Sequence, residues 1–154
     1  MSTEKITNPF NARHWLGDME TDYVYTLGVA GERFFKELKK GKIMGAKCPC
    51  CGIVYVPPRM YCEECFAKLE EWVDVGKKGT VHTFTVASID IDGSQLEKPV
   101  IYALIKFDET HGGLIHKIEK TDTVGIGMKV EAMFKPPEKR KASINDIAYF
   151  KPAK

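Results

Sequence analysis

The chain has 154 residues, 44% of them hydrophobic and 29% charged, with a formal net charge of +2. That length suits one ordinary domain or two small ones, and the composition is that of a globular protein. No apolar run approaches the roughly 20 residues of a membrane span, the charge is too mild for an electrostatic nucleic-acid binder, and the polar start Met1–Asn8 lacks a secretory h-region, so a cytoplasmic location is expected.

The first expected element is a short helix, with Asn8 as N-cap, Pro9 at the first helical position and Gly17 closing it. Trp15 and Leu16 would anchor it. Between Asp18 and Leu27 the run Tyr23-Val24-Tyr25 favours extended chain, without an obvious pairing partner. Ala30 to Lys40 reads as an amphipathic helix with an apolar stripe of Phe34, Phe35 and Leu38. Glu32 and Lys36 stand four apart in the favourable order, Lys39 and Lys40 suit the negative end of the helix dipole, and Gly41 is the stop. Residues 1–42 thus form an N-terminal helical segment.

Residues 43–75 carry the strongest signal in the chain. Cys48 and Cys51 form one C-x-x-C pair, Cys62 and Cys65 a second, with ten residues between the pairs. Two such corners facing one another make a tetrahedral cage of four thiolates, a closed structural site for zinc, with no open position for water or substrate. Iron accepts the same geometry. Cys50 is a fifth cysteine; ligation by Cys48 and Cys50 is an alternative, but the C-x-x-C pair followed by Gly52 is the better knuckle and leaves Cys50 a free thiol. The second pair is followed by Phe66 instead of glycine, so a less regular knuckle is expected there. Ile53 to Val56 is a short strand ended by Pro57-Pro58. A segment of this size cannot bury a core that offsets its chain entropy, and a metal supplies the difference. The module is a zinc ribbon.

From Gly76 the pattern turns to strands: Gly79–Ala87, Pro99–Phe107, Gly113–Glu119, Met128–Phe134 and Ile144–Phe150. Asp92-Gly93, Asp108–Gly112 and Thr121–Gly127 read as turns or connections, and a basic loop, Lys139-Arg140-Lys141, follows Pro136-Pro137. Five short strands with one longer excursion between the third and fourth fit an OB-type barrel over residues 76–154. The second strand is apolar on both faces, with Val100, Tyr102 and Leu104 on one and Ile101, Ala103, Ile105 and Phe107 on the other. One row fills the barrel; the other must be covered by this chain or a partner.

No motif for metal-dependent hydrolysis, a serine nucleophile, a P-loop or nucleobase deamination is present. His82 and His116 alternate with apolar neighbours and read as core-edge residues with satisfied hydrogen bonds. Arg59 closes the ribbon hairpin, either covering the ribbon–barrel junction or serving as an anion contact or partner anchor. Lys139, Arg140 and Lys141 read as a solvated loop or a grip on a phosphate-bearing ligand. Ribbon and OB barrel together raise a nucleic-acid binder as the alternative function, but an aliphatic row with few cations suits a protein surface or an acyl chain better than stacked bases.

The order of motifs resembles a known family. A G-E-R-F-F-K-E-L-K-K-G helix (Gly31–Gly41) leads into G-A-K-C-P-C-C-G (Gly45–Gly52), V-Y-V-P-P-R (Val54–Arg59), C-E-E-C-F (Cys62–Phe66), E-W-V-D-V-G (Glu71–Gly76) and G-T-V-H-T-F-T (Gly79–Thr85). Over about residues 30–150 this is similar to the small zinc-ribbon/OB-fold proteins associated with acyl-CoA metabolism and paired with thiolase-like enzymes. The resemblance implies a fold that is mainly β with N-terminal helices, a rubredoxin-like zinc ribbon preceding a five-stranded OB barrel. It also implies a non-catalytic accessory role. Archaeal members bridge an acetoacetyl-CoA thiolase and a hydroxymethylglutaryl-CoA synthase and help pass the CoA-bound intermediate. Carried over by position, Cys48, Cys51, Cys62 and Cys65 are the zinc ligands. The expected partners are therefore a thiolase, a hydroxymethylglutaryl-CoA synthase and acyl-CoA, with no membrane and no nucleic acid.

Overall fold

The computed structural model describes residues 24–90, 92–119 and 124–153. The helix expected over residues 8–17 lies outside them. Helix α1 spans Gly28–Lys39 and is the only α-helix among the described residues, so the plural in the sequence expectation is not met there. Ala30, Phe34 and Leu38 recur every four residues and form its buried face. Its end is a two-bond cap: Gly41 N–H donates to Leu38 O and Lys42 N–H to Glu37 O, with Gly41 at φ +82°.

The ribbon sheet consists of β1 (Met44–Lys47), β2 (Val54–Val56) and β3 (Glu71–Asp74), both neighbours pairing antiparallel to β1. Arg33 of α1 stacks over the Trp72 ring at 4.5 Å and ties the helix to this sheet. The barrel is built from β4 (Lys78–Ile89), β5 (Gln95–Lys106), β7 (Leu114–Ile118), β8 (Lys129–Phe134) and β9 (Ile147–Pro152), closed in the order β4-β5-β7-β9-β8. The ring is thinnest at two seams: β4 meets β8 over Lys78–Thr80, and β7 meets β9 at one pair, Ile118 with Phe150.

The chain expected to turn over Asp108–Gly112 instead supplies β6 (Thr110–Gly112), which leaves the barrel and pairs parallel with β2 of the ribbon. Gly113 N–H donates to Val56 O at 2.7 Å. The approach is so close that any Cβ at Gly112 would strike that same carbonyl, and Gly112 sits at φ +91°. Backbone pairing between segments this far apart has no period-2 signal in three residues, which is why the sequence shows only a turn.

One core runs through all three segments. Phe34 and Leu38 of α1, with Ile43 and Val56 of the ribbon, pack against Val81, Ile105, Phe107, Leu114, Val130, Ile147 and Phe150 of the barrel. A smaller cluster of Ala46, Cys48, Tyr55, Cys62 and Leu69 lies inside the ribbon. His82 departs from its expected place. Val81 pairs with Ile105 and Thr83 with Leu104, so His82 is the extra residue of a bulge and is exposed. His116 is buried, with its ring nitrogens 3.3 Å from Ile144 O and 3.5 Å from Lys117 O. Strand β9 begins later than expected, because Ile144–Asp146 form a single 3-10 turn. Buried Asp146 accepts N–H groups from Lys141 (2.7 Å), Ala142 (2.8 Å) and Ser143 (3.2 Å), fixing the end of the basic loop.

Two measurements test this frame. Gly112→Ala must adopt positive φ and push Val56 aside; urea denaturation is expected to show a loss of about 2 kcal/mol or more. Burial holds the His116 imidazole below its ordinary value of 6.5. The unfolded chain therefore takes up the proton first, and stability falls as pH drops below that value. Replacing His116 by Gln should flatten that part of the pH profile.

Candidate metal centre and its surroundings

Two knuckles of matching backbone geometry bring the sulfurs together. In the first, Cys48 N–H donates to Ile53 O (2.8 Å), Gly52 N–H to Cys48 O (3.0 Å) and Cys51 N–H to Cys48 Sγ (3.3 Å). In the second, Cys62 N–H donates to Ala67 O (2.9 Å) and Phe66 N–H to Cys62 O (3.0 Å). Gly52 has φ +72° and Phe66 φ +58°. The second knuckle is thus as regular as the first: Phe66 takes the left-handed conformation that glycine takes without steric cost.

The four Sγ atoms of Cys48, Cys51, Cys62 and Cys65 lie within 4.8 Å of one another. A tetrahedral zinc site with bonds of about 2.3 Å needs sulfurs roughly 3.8 Å apart, so the cluster has the size of a ZnS₄ site. Cys48 and Cys62 are buried while Cys51 and Cys65 reach the surface. The exposed Cys50 is outside the cluster.

The electrostatics also call for a cation. The Tyr55 hydroxyl donates to Cys62 Sγ at 3.2 Å, and this bond, with N–H groups of Cys65 and Glu64, holds the thiol down at about 6. The same bond pushes the Tyr55 phenol up to about 12. Cys65 accepts the Ala67 N–H, which favours its thiolate. Its contacts with Cys51 and Cys48, together with burial, outweigh that bond and push it up to about 12. One thiolate is comfortable here and four are not, unless a divalent ion sits among them.

The other sequence candidates are scattered. Arg59 pairs with Glu63 and lies over the Tyr55 ring at 5.5 Å, beside a cavity of about 390 Å³ between ribbon and barrel. Arg140 faces inward: its Nε donates to Lys135 O (2.6 Å), its Nη1 to Lys39 O (3.3 Å), and its guanidinium lies over Phe134. Lys139 and Lys141 are exposed on the same loop. The loop is therefore split, with Arg140 holding the end of α1 and its neighbours facing solvent. Tyr55 and His111 carry no sequence signal beyond residue type. His111 comes from β6, donates to or pairs with Glu63 Oε1 at 2.9 Å, and lies 5.4 Å from the Tyr55 ring.

The fold and the sulfur cluster define a zinc-ribbon/OB-fold protein. Residues 35–70 match the ChsH2 rubredoxin-like zinc ribbon domain and residues 72–135 the ChsH2 C-terminal OB-fold domain. A DUF35 domain-containing scaffold protein of Methanocaldococcus jannaschii is 33% identical over 97 residues, covering 60% of this chain and 67% of the relative. A protein of the same description from Methanothermobacter thermautotrophicus is 31% identical, over 60% of this chain and 71% of the relative. The crystal structure of a DUF35 protein of unknown function from Sulfolobus solfataricus superposes with a TM-score of 0.67 at 36% identity, over 82% of this chain and 87% of that one. The chain belongs to the DUF35 family, and its cofactor is a structural zinc ion. A more distant structure, the Ltp2-ChsH2(DUF35) aldolase, shares the fold with a TM-score of 0.59 at 21% identity, over 78% of this chain and 91% of that one.

Removing one ligand should remove the metal. Cys65→Ser is expected to lose its zinc by atomic absorption and to melt the ribbon, seen as altered Trp72 fluorescence, while Cys50→Ser keeps one zinc per chain. Retention of metal in Cys65→Ser would assign the fourth ligand elsewhere.

Proposed function

We infer that this chain is a non-catalytic scaffold for a thiolase-class enzyme, with a hydroxymethylglutaryl-CoA synthase as a second partner and an acyl-CoA as the intermediate passed between them. Cys48, Cys51, Cys62 and Cys65 hold its zinc. The observation that carries the non-catalytic reading is the metal cluster: four protein sulfurs lie within 4.8 Å of one another, and a tetrahedral ion held by all four has no position for substrate. Relatives of this chain in two archaea are named scaffold proteins, and a DUF35 chain occurs together with an aldolase partner in a structure of the same fold. No helix among the described residues is long and apolar enough to cross a membrane.

The working division is a helical segment 1–42, a ribbon 43–75 and a barrel 76–154, with β6 crossing the second boundary. Arg59, Lys139 and Lys141 are surface contacts available to a partner or to a CoA phosphate. Arg140 belongs to the same candidate patch by sequence, but its bonds to Lys39 O and Lys135 O give it a positioning role. A scaffold of this kind raises the local concentration of an intermediate without touching its chemistry.

Co-expression with the thiolase and the synthase of the source organism tests the reading. Co-elution as a stable complex, with no acyl-CoA turnover by the isolated chain, is expected. Elution apart, or turnover by the chain alone, would remove the scaffold assignment. In the same assay Lys139→Ala/Lys141→Ala should weaken CoA retention by the complex, while Arg140→Ala lowers thermal stability.

A further inference from the structure

The barrel carries an outward row that the described residues leave partly exposed. On β5 the side chains of Ile101, Ala103 and Ile105 are buried, so the alternate residues Tyr102, Leu104 and Lys106 face out. Register pairing sets Ile115 of β7 opposite Leu104, and Lys117 opposite Tyr102. Ile115 is 71% exposed. Tyr102, Leu104 and Ile115, with Thr83 and Thr85 of β4, line a shallow apolar cavity of about 210 Å³. It shares Tyr102 and Ile115 with a cavity of about 270 Å³ that Lys117 and Lys135 border. It shares Leu104 with the ribbon–barrel cavity that Lys106 borders. The three form one continuous ledge, apolar in the middle and cationic at both ends.

The lysines at its ends form no ion pairs, while Arg59, which also lines the ribbon–barrel end, is paired with Glu63. Among the described residues, no carboxylate pairs with Lys106, Lys117 or Lys135, which leaves their charge available to a partner. Lys117 lies over the Tyr102 ring instead, 5.8 Å from its centroid. The charge pattern selects among occupants. A second copy of this chain, docked about a two-fold axis, would set lysine against lysine. Single-stranded nucleic acid needs a series of stacking aromatics, and Tyr102 is the one aromatic on the outward rows of β5 and β7, while Phe84, at the wall of the same cavity, packs against the core. The residues of the ledge project from the face of the sheet rather than from a strand edge, so contact with it runs through side chains. In OB folds the face of the second and third strands, here β5 and β7, is the one that meets oligonucleotides and oligosaccharides, and in this chain that face is apolar instead.

We propose that the outer ledge of β5 and β7, centred on Tyr102, Leu104 and Ile115 and bounded by Lys106, Lys117 and Lys135, docks an apolar patch flanked by carboxylates on the partner enzyme. The proposal rests on the scaffold reading above, and places the partner on the barrel rather than on the basic loop at Lys139–Lys141.

The test uses the full chain and the purified thiolase. Ile115→Asp and Lys117→Glu/Lys135→Glu should each weaken the complex at least tenfold by titration calorimetry. Ile126→Asp, exposed on the turn before β8, should bind as wild type, with zinc content and circular dichroism confirming the fold of each variant. Treatment of the wild-type complex with carbodiimide, which joins lysine amines to carboxylates, should link Lys106, Lys117 or Lys135 to partner Asp or Glu residues. If wild type binds while the ledge variants bind equally, or the links fall on Lys139 and Lys141, the ledge is wrong and the scaffold reading stands. A wild-type chain that binds no thiolase overturns both. A dimer broken by Ile115→Asp, or RNA binding lost in Lys117→Glu/Lys135→Glu, would assign the ledge to that occupant and overturn the proposal.

Discussion

Four sulfurs confined within 4.8 Å are the constraint on which the ribbon depends. Two thiolates at that separation repel by roughly 3 kcal/mol at an effective dielectric near 20. Several such pairs exceed anything the ribbon's own small cluster can supply, since that cluster consists of Ala46, Cys48, Tyr55, Cys62 and Leu69. Two of those five residues are themselves ligand candidates, so metal and core cannot be separated here. A divalent ion reverses the sign of the interaction and turns the quartet into the strongest attraction in the segment.

The quartet is connected to the barrel by a short physical path. Tyr55 donates to Cys62 from inside the ribbon, and the His111 ring from β6 lies against Tyr55. Glu63, inside the second knuckle, pairs with both Arg59 and His111. One residue further on, Gly112 brings the barrel backbone against Val56. Orientation of the ribbon on the barrel is thereby set by the same residues that surround the sulfurs. The shared core of Phe34, Leu38, Ile43 and Val56 with the barrel side chains fixes the third segment, α1, to the same body.

The sulfur pattern, the helix and the barrel strands were legible because each is written in local chemistry: C-x-x-C spacing, Phe34 and Leu38 at helical spacing, and alternation along Val100 to Phe107. What stayed illegible depends on distant chain. The β6 pairing with β2 is three residues long and carries no pattern. The His82 bulge inverts the expected side-chain alternation through one inserted residue. Phe66 occupies a conformation that the sequence assigns to glycine, because the knuckle's hydrogen bonds and the sulfur geometry over-determine it. The basic loop read as three equivalent cations, yet the end of α1 recruits Arg140 alone, through a contact about a hundred positions away in sequence. Whether a surface lysine is paired is likewise a property of the fold: Lys106, Lys117 and Lys135 look no different in the chain from Lys47 or Lys129.

A scaffold has to present surface without changing shape, because ordering on association subtracts from affinity. Each joint in this chain removes a freedom before any partner arrives. The metal fixes the knuckles, the β6 pairing fixes ribbon to barrel, Arg140 and the cap at Gly41 fix the helix end, and Asp146 fixes the basic loop through three backbone donors. The inward rows of the barrel are committed to the core, which leaves the outward side chains as the surface available for recognition. Substitutions at the outward side chains Tyr102, Leu104 and Ile115 leave the inward rows and the sulfur cluster undisturbed. The rigid frame and the surface it presents are thus separate sets of residues in one chain.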